Sequence, residues 1–357
     1  MGYRLGIILL AAAAHMPAAD WNPRSAADYL DHRQAEWSAW PRAQKPNGPC
    51  LSCHTGLFYL VARPALRGAL HETTAPAPET ELLRSVRARS AAREATPAGA
   101  VPGTNPPKGL LADQLLATQA VLTPLVLAYD DRPKGKLSPE AEEAFRRMWD
   151  LQVHESAAKG AWPWSTFELD PWEMPDSAFF GAALAALATG VAPGGYQDRP
   201  EIRADITELG EYIRANQAKQ PLHNRLMALW ASSRLRDLLP DKTRQDILAT
   251  LWKSQGADGG FSMTALGPWK ARADVPASAD ANSYATAVAA FAAEQAGVKR
   301  GERNLARALT WLKSHQDPRD GSWPAYSMNK QRELSTMPAS FMRDAATAFA
   351  VLALAGE

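Results

Sequence analysis

Cysteine is nearly absent, with two in 357 residues, too few for a disulfide framework to hold a fold together. An excess of one charge is absent too: 39 basic against 38 acidic side chains leave a net +1. Nothing in that balance draws the chain to nucleic acid or to an acidic membrane. The alternation of apolar and polar residues that marks a half-buried strand hardly occurs. After the N-terminal residues no run reads as long and apolar enough to span a membrane. What the chain does have is material for a core, 46% hydrophobic residues. Its length fits two domains or one large closed architecture.

The first residues are of a different kind. Arg4 precedes an apolar run from Leu5 to Ala14, and small residues follow around Pro17, Ala18 and Ala19. A basic start, a short apolar stretch and a small-residue exit predict a signal peptide over 1–19, cut at or a few residues before Asp20. The other reading, an uncleaved anchor, needs ~20 apolar residues, more than this run has. The expected mature chain, 20–357, is a soluble periplasmic or extracellular protein, and His15 leaves with the leader.

The rest reads as helix after helix. Residues 25–39, with Ser25 as cap, are amphipathic and are followed by an apolar helix over 52–70. The couplet recurs as 79–95 with 109–129, 138–157 with 176–190, 200–218 with 222–239, 241–255 with 281–297, and 301–316 with 343–355. In each pair the first helix is charged on one face, and the second is generally rich in alanine and larger apolar residues, as from Phe179 to Ala188. Helices apolar on most sides are buried. Six amphipathic helices outside six buried ones make an all-α fold, a single α/α toroid.

Local echoes support true repeats. Leu251-Trp252-Lys253-Ser254-Gln255 leads to Asp258-Gly259-Gly260-Phe261, and Trp311 through Gln316 leads to Asp320-Gly321-Ser322-Trp323. Met148-Trp149-Asp150-Leu151-Gln152 leads to Gly160-Ala161-Trp162. The Gln is placed to bond the backbone of the next turn, the Gly allows a positive φ, and the aromatic packs under the hairpin. On these units the chain resembles the repeats of squalene-hopene and oxidosqualene cyclases and their prenyltransferase-like relatives. The resemblance is good over 148–188 and 248–355, faint over 210–238, and only architectural before 140. It implies six outer and six inner helices around a central cavity, and leaves the activity open because this fold hosts many chemistries.

Loop lengths point to one rim. The connections from outer to inner helix over 96–108, 158–175, 256–280 and 317–342 are long, and long structureless loops in a compact domain are usually functional. They carry Trp162, Trp164, Trp172, Trp269, Trp323 and Tyr326. These aromatics either bind an apolar or planar small-molecule ligand or seal the loops.

Cys50-Leu51-Ser52-Cys53-His54 is a C-x-x-C-H sequence, the attachment signature of c-type haem, in which two thiols add to the vinyl groups and the imidazole reaches the iron. The reading makes Cys50 and Cys53 the anchors of a covalent haem c and His54 the proximal ligand. A Cys50–Cys53 disulfide, a thioredoxin-like pair and a zinc site are the other readings of the same residues. Repeat alignment places His54 at the start of the first inner helix and His223 at the equivalent position of the opposite one, so His223 is the first candidate for a second axial ligand, with Met174 and Met337 next. Arg63 and Arg67 are positioned for propionates or for nearby acids. His32, His71, His154 and His315 read as surface or boundary residues.

The cyclase resemblance implies an Asp-x-Asp-Asp acid before an inner helix. Here the segment reads Asp280-Ala281-Asn282-Ser283, and an asparagine cannot protonate an alkene. Asp176 and Asp344 lie near other inner-helix starts, as catalytic carboxylates or as caps and rim charges. Glu168, Asp170, Glu173 and Asp176 cluster on one rim loop, the best place for glycan chemistry. The sequence therefore predicts an exported haem toroid engaged in electron transfer with a redox partner protein, or in redox chemistry on a rim ligand. A cyclase-like protein and a non-catalytic or glycan-binding toroid are the alternatives.

Overall fold

The computed structural model describes residues 20–45, 47–91 and 109–356. The expected leader over 1–19 and the expected rim loop over 96–108 lie outside the described residues. The first helix, α1 (Pro23–Ala39), begins with a proline whose missing N–H would have had no intrahelical partner, and Asn22, not Ser25, caps it by accepting the Ser25 N–H at 3.1 Å. A two-stranded ribbon, β1 (Gln44–Lys45) with β2 (Gly48–Pro49), precedes the cysteine segment.

Eleven more helices follow among the described residues, in the couplets expected. The outer members are α1, α3 (Ala77–Ala91), α5 (Pro139–Asp150), α7 (Arg203–Asn216), α9 (Asp241–Lys253) and α11 (Arg303–Ser314). The inner members are α2 (Gly56–Ala69), α4 (Leu110–Asp131), α6 (Ala178–Val191), α8 (Leu222–Ser232), α10 (Ser283–Gln295) and α12 (Phe341–Ala355). Each inner helix packs on the next, and α12 packs back on α2, closing the ring. Alanine makes this possible: every residue from Ser283 to Ala293 of α10 is buried, and side chains that small let six helices share one axis. The α4 segment is, against expectation, long and apolar enough to cross a membrane, and it serves here as an inner helix.

The repeated Gln and Gly residues tie each hairpin to the next. Gln152 Nε2 donates to the carbonyls of Gly160 and, on α7, Asp205. Gln255 Nε2 reaches Gly259 and Asn304, at 2.9 and 2.8 Å. Gln316 Nε2 donates to Gly321 at 2.8 Å and to Asn22 at 3.0 Å, so the last copy of the motif fastens the end of the chain to its beginning. Gly321 has φ +78°, and a Cβ there would stand 2.3 Å from the Ser25 carbonyl carbon. Gly321→Ala is expected to cost about 2 kcal/mol in denaturant unfolding, from left-handed strain plus a backbone collision. Gly301→Ala, where a Cβ meets nothing within 4 Å, should leave stability unchanged.

The axis of the ring is filled. Phe349 of α12 packs against Phe58 of α2, Trp230 of α8, and Tyr284 and Phe291 of α10, with ring centroids 4.5–6.1 Å apart. The central cavity implied by the cyclase resemblance is therefore occupied by the protein's own aromatic core.

Candidate functional site

The starts of the inner helices converge beneath the long-loop rim, and a loop dips in to close that end. Trp172, on the 158–175 loop, packs tilted against the His54 ring at 6.0 Å on one side and edge-on against Tyr284 at 5.7 Å on the other. Its indole N–H donates to the Tyr284 hydroxyl at 3.0 Å. That hydroxyl donates to His223 Nε2 at 2.8 Å, and His223 Nδ1 donates to Asn224 Oδ1 at 3.0 Å. Burial holds His223 down to about 4, against the pull of Asn224, so it is a neutral imidazole with both nitrogens engaged.

His54 is buried too. Its ring stacks on Phe341 at 3.5 Å, and its Nδ1 lies 3.0 Å from the Thr55 hydroxyl. Burial keeps it well below the usual imidazole range, reinforced by the Arg33 and Arg332 charges. The Thr55 hydroxyl donates to Asp344 at 2.7 Å, and the same carboxylate takes Tyr29 and Arg33 at 2.9 Å each. Asp344 is thus a buried junction of α1, α2 and α12.

Cys53, also buried, donates its thiol to Glu173 Oε1 at 2.9 Å. The second carboxyl oxygen of Glu173 makes no close hydrogen bond, and the Ser165 hydroxyl is the polar group beside it. Burial raises Glu173 to about 7, although the Cys53 and Ser165 side chains favour its charge. Cys50 is half-buried and lines a cavity of about 60 Å³ with Lys45, Arg89 and Gln119. The two cysteines are unpaired thiols.

These positions do not fit a haem. Trp172 and Tyr284 stand between His54 and His223, where the porphyrin was expected, and His223 Nε2 is taken by a phenol. A space of about 60 Å³ beside Cys50 compares with the ~300–1,000 Å³ of a small-molecule site. Met337 Sδ accepts from Arg33 at 3.1 Å, and Met174 is buried on the loop that carries Trp172. Arg63 pairs with Asp31 and Glu72, and Arg67 with Glu79, so the propionate partners have acids of their own.

An open site lies farther out on the rim, as a cleft of about 990 Å³ between the 256–280 and 317–342 loops. Trp269 and Tyr326 are among its walls, and Ser278, Asp280, Asn282 and Ser283 line its polar side. Trp269 also packs 5.9 Å from His223, so the cleft backs onto the axis cluster. The rim aromatics fall into two sets by their packing. Trp162 and Trp323 are buried, donating to Met148 and Leu312 carbonyls under their hairpins, and Trp164 covers the Trp172 carbonyl. Trp269 and Tyr326 face the cleft.

The acidic candidates scatter. Asp176 is an exposed rim charge. Glu168 pairs with Lys270 and Arg272, and Asp170 with Arg272, lashing two rim loops together. Asp258 is spent on the Trp311 indole and the Gly260 N–H. Asn282, at the place of a cyclase acid, caps α10 by accepting from Tyr284 and Ala285 N–H groups. Asp280 is exposed in the cleft and takes the Ser278 hydroxyl at 3.0 Å. The partnership of Glu173 with Cys53, and the place of Trp172 and Tyr284 between the histidines, were not foreseen. The available signal was an acid flanked by Trp172 and Met174 inside a polar loop, a pattern of burial.

No family model matches the chain, and no curated protein matches it. Solved structures do. One is described as a possible member of the GH105 family from Salmonella enterica subsp. enterica serovar Paratyphi A, with TM-score 0.50 and 12% identity over 97% of this chain and 98% of that one. Another, a glycosidase, has TM-score 0.49 and 12% identity over 93% and 97%. The expectation of a haem protein for electron transfer is corrected accordingly: the axis is plugged, and the fold is matched over 97% of this chain by the possible GH105 member. At 12% identity the likeness establishes one thing, that this chain has the α/α-toroid fold.

Proposed function

We propose that this chain is a carbohydrate-binding toroid that takes a neutral oligosaccharide in the rim cleft. The observation that carries the reading is the pairing of aromatic faces with hydrogen-bonding side chains in an open groove. Tyr326 is 62% exposed and Trp269 half-buried, and Ser278, Asp280 and Asn282 stand in the same cleft. A sugar ring has an apolar C–H face for the former and a hydroxyl edge for the latter. The likeness to a possible GH105 member supplies the fold alone; the cleft supplies the ligand.

Charge selects among sugars. Lys270 and Arg272 line the cleft but already face Glu168 and Asp170, whereas Asp280 has no ion pair among the described residues. The uncompensated charge is negative, which favours a neutral glycan over a polyuronate. Hydrolysis by paired carboxylates needs a second acid beside the first, and Asp258 is held by Trp311. Binding is what this arrangement supports. With residues 1–19 read as a leader, the ligand is met outside the cytoplasm.

The test is titration calorimetry with neutral hexaoses of glucan, xylan and mannan type. Tyr326→Ala and Asp280→Asn are each expected to weaken binding about tenfold, near 1.4 kcal/mol, and Phe167→Ala, exposed on the rim outside the cleft, should change nothing. No binding in any series, or both cleft variants binding like the unaltered protein, would overturn the reading.

A further inference from the structure

The two thiols remain outside that reading, and their surroundings differ in a way that suits sequential chemistry. Cys50 is half-buried beside a small cavity; Cys53, three residues on, is buried and hydrogen-bonded to a carboxylate. We propose that Cys50 and Cys53 form a thiol–disulfide exchange site, with Cys50 as the attacking sulfur, Cys53 as the resolving one, and Glu173 as the acceptor of the Cys53 proton.

The backbone holds this segment in place. The Cys50 N–H donates to the Ala43 carbonyl at 2.8 Å, and its own carbonyl takes the Trp37 indole at 2.9 Å. Ser52 Oγ accepts the Thr55 and Gly56 N–H groups at 3.1 and 2.8 Å, fixing the turn into α2. Cys50 sits close enough to Cys53 for its charge to oppose Cys53 ionisation. Burial and, more weakly, the Glu173 charge push the Cys50 thiol up, while Lys45 and Arg89 pull it back towards the thiolate. For Cys53 burial and Glu173 both act upward, so this sulfur stays protonated until a base removes its proton.

Glu173 is that base by position. One oxygen already accepts the thiol hydrogen, and the second, beside the Ser165 hydroxyl, is left to carry a proton. Burial brings its pKa to about 7, so near neutral pH it is present in both forms. The groups bearing on it are Cys53 and, through its charge, Cys50 from the segment before α2, and Ser165 from its own loop.

The oxidant is a disulfide, RSSR. The Cys50 thiolate attacks one sulfur, forming a Cys50–S–S–R mixed disulfide and releasing RS⁻. Cys53 then gives its proton to Glu173 and attacks Cys50 Sγ, closing the Cys50–Cys53 disulfide and expelling a second RS⁻. The dithiol loses two electrons and two protons, RSSR becomes two RSH, and the proton on Glu173 passes to solvent. The site stands independently of the cleft.

Oxidised glutathione is the probe, with intact mass as readout. The unaltered protein should become two hydrogens lighter and reverse with reduced glutathione. Cys53→Ser should stop at one added glutathione, on Cys50. Cys50→Ser should take up none, because Cys53 is buried. Glu173→Gln should accumulate the mixed disulfide, resolving it at least tenfold more slowly at neutral pH, with a rate that loses its dependence on a group titrating near 7. Circular dichroism confirms that each variant is folded. Failure of the folded protein to form the disulfide, resolution at the unaltered rate in Glu173→Gln, or a tetrapyrrole mass on both sulfurs of the exported protein would each overturn the proposal.

Discussion

Replacing Asp344 by alanine is expected to cost about 3–5 kcal/mol of folding free energy, the usual penalty when one partner of a buried ion pair is removed. Asp344 is 2% exposed and takes Arg33, Tyr29 and Thr55 together. Without it Arg33 keeps Glu36 at a half-exposed position and the Met337 sulfur, and two buried hydroxyls lose their acceptor. The junction joins the first helix pair to the last helix, so the loss falls on ring closure. A paired replacement, Arg33→Met with Asp344→Leu, should recover most of the loss, since a buried ion pair exchanged whole for apolar groups is often neutral. Urea unfolding of the two singles and the double gives the coupling directly. Additive losses would show that the pair does not act as a unit.

The second large effect concerns Glu173, whose folded-state carboxyl titrates near 7 against an ordinary 4.5. Its protonated form is the one the fold favours, so its contribution is intact below the unfolded pKa. Stability falls as pH rises from about 4.5 to about 7 and stays lower above, by about 3 kcal/mol in all. Glu173→Gln, whose amide oxygen still accepts the Cys53 thiol, removes that slope. The variant should gain about 3 kcal/mol on the unaltered protein between about pH 4 and pH 8. Subtracting the two pH profiles cancels every other titrating group, and parallel profiles would show that the carboxyl is not held in a dry site.

What the sequence made legible was whatever repeats. The twelve helices follow from apolar period and alanine content, and the Gln-to-turn bonds of Gln152, Gln255 and Gln316 follow from three copies of one motif. The filled axis was not legible. Trp172 reaches it from a loop with no periodicity, and its neighbours there, His54 and Tyr284, belong to helices far apart in the chain. Opposed histidines at matching repeat positions looked like two ligands to one metal, because repeat alignment gives angular positions and says nothing about what stands between them. Asp344 likewise read as a rim charge, since its partners Tyr29 and Arg33 lie at the other end of the chain. The cleft was half legible: loop lengths indicated the rim, and only the packing separated Trp269 and Tyr326 from the tryptophans that seal hairpins.

The measurement that bears most directly on this account is hydrogen–deuterium exchange on the protein saturated with the tightest-binding neutral hexaose. Binding in the rim cleft predicts slower exchange over 262–283 and 324–328, with 50–58, 170–178 and 222–226 unchanged. Protection of those axis segments with none at the cleft would contradict it, and would place the ligand where the structure shows Trp172, Tyr284 and His223 packed together.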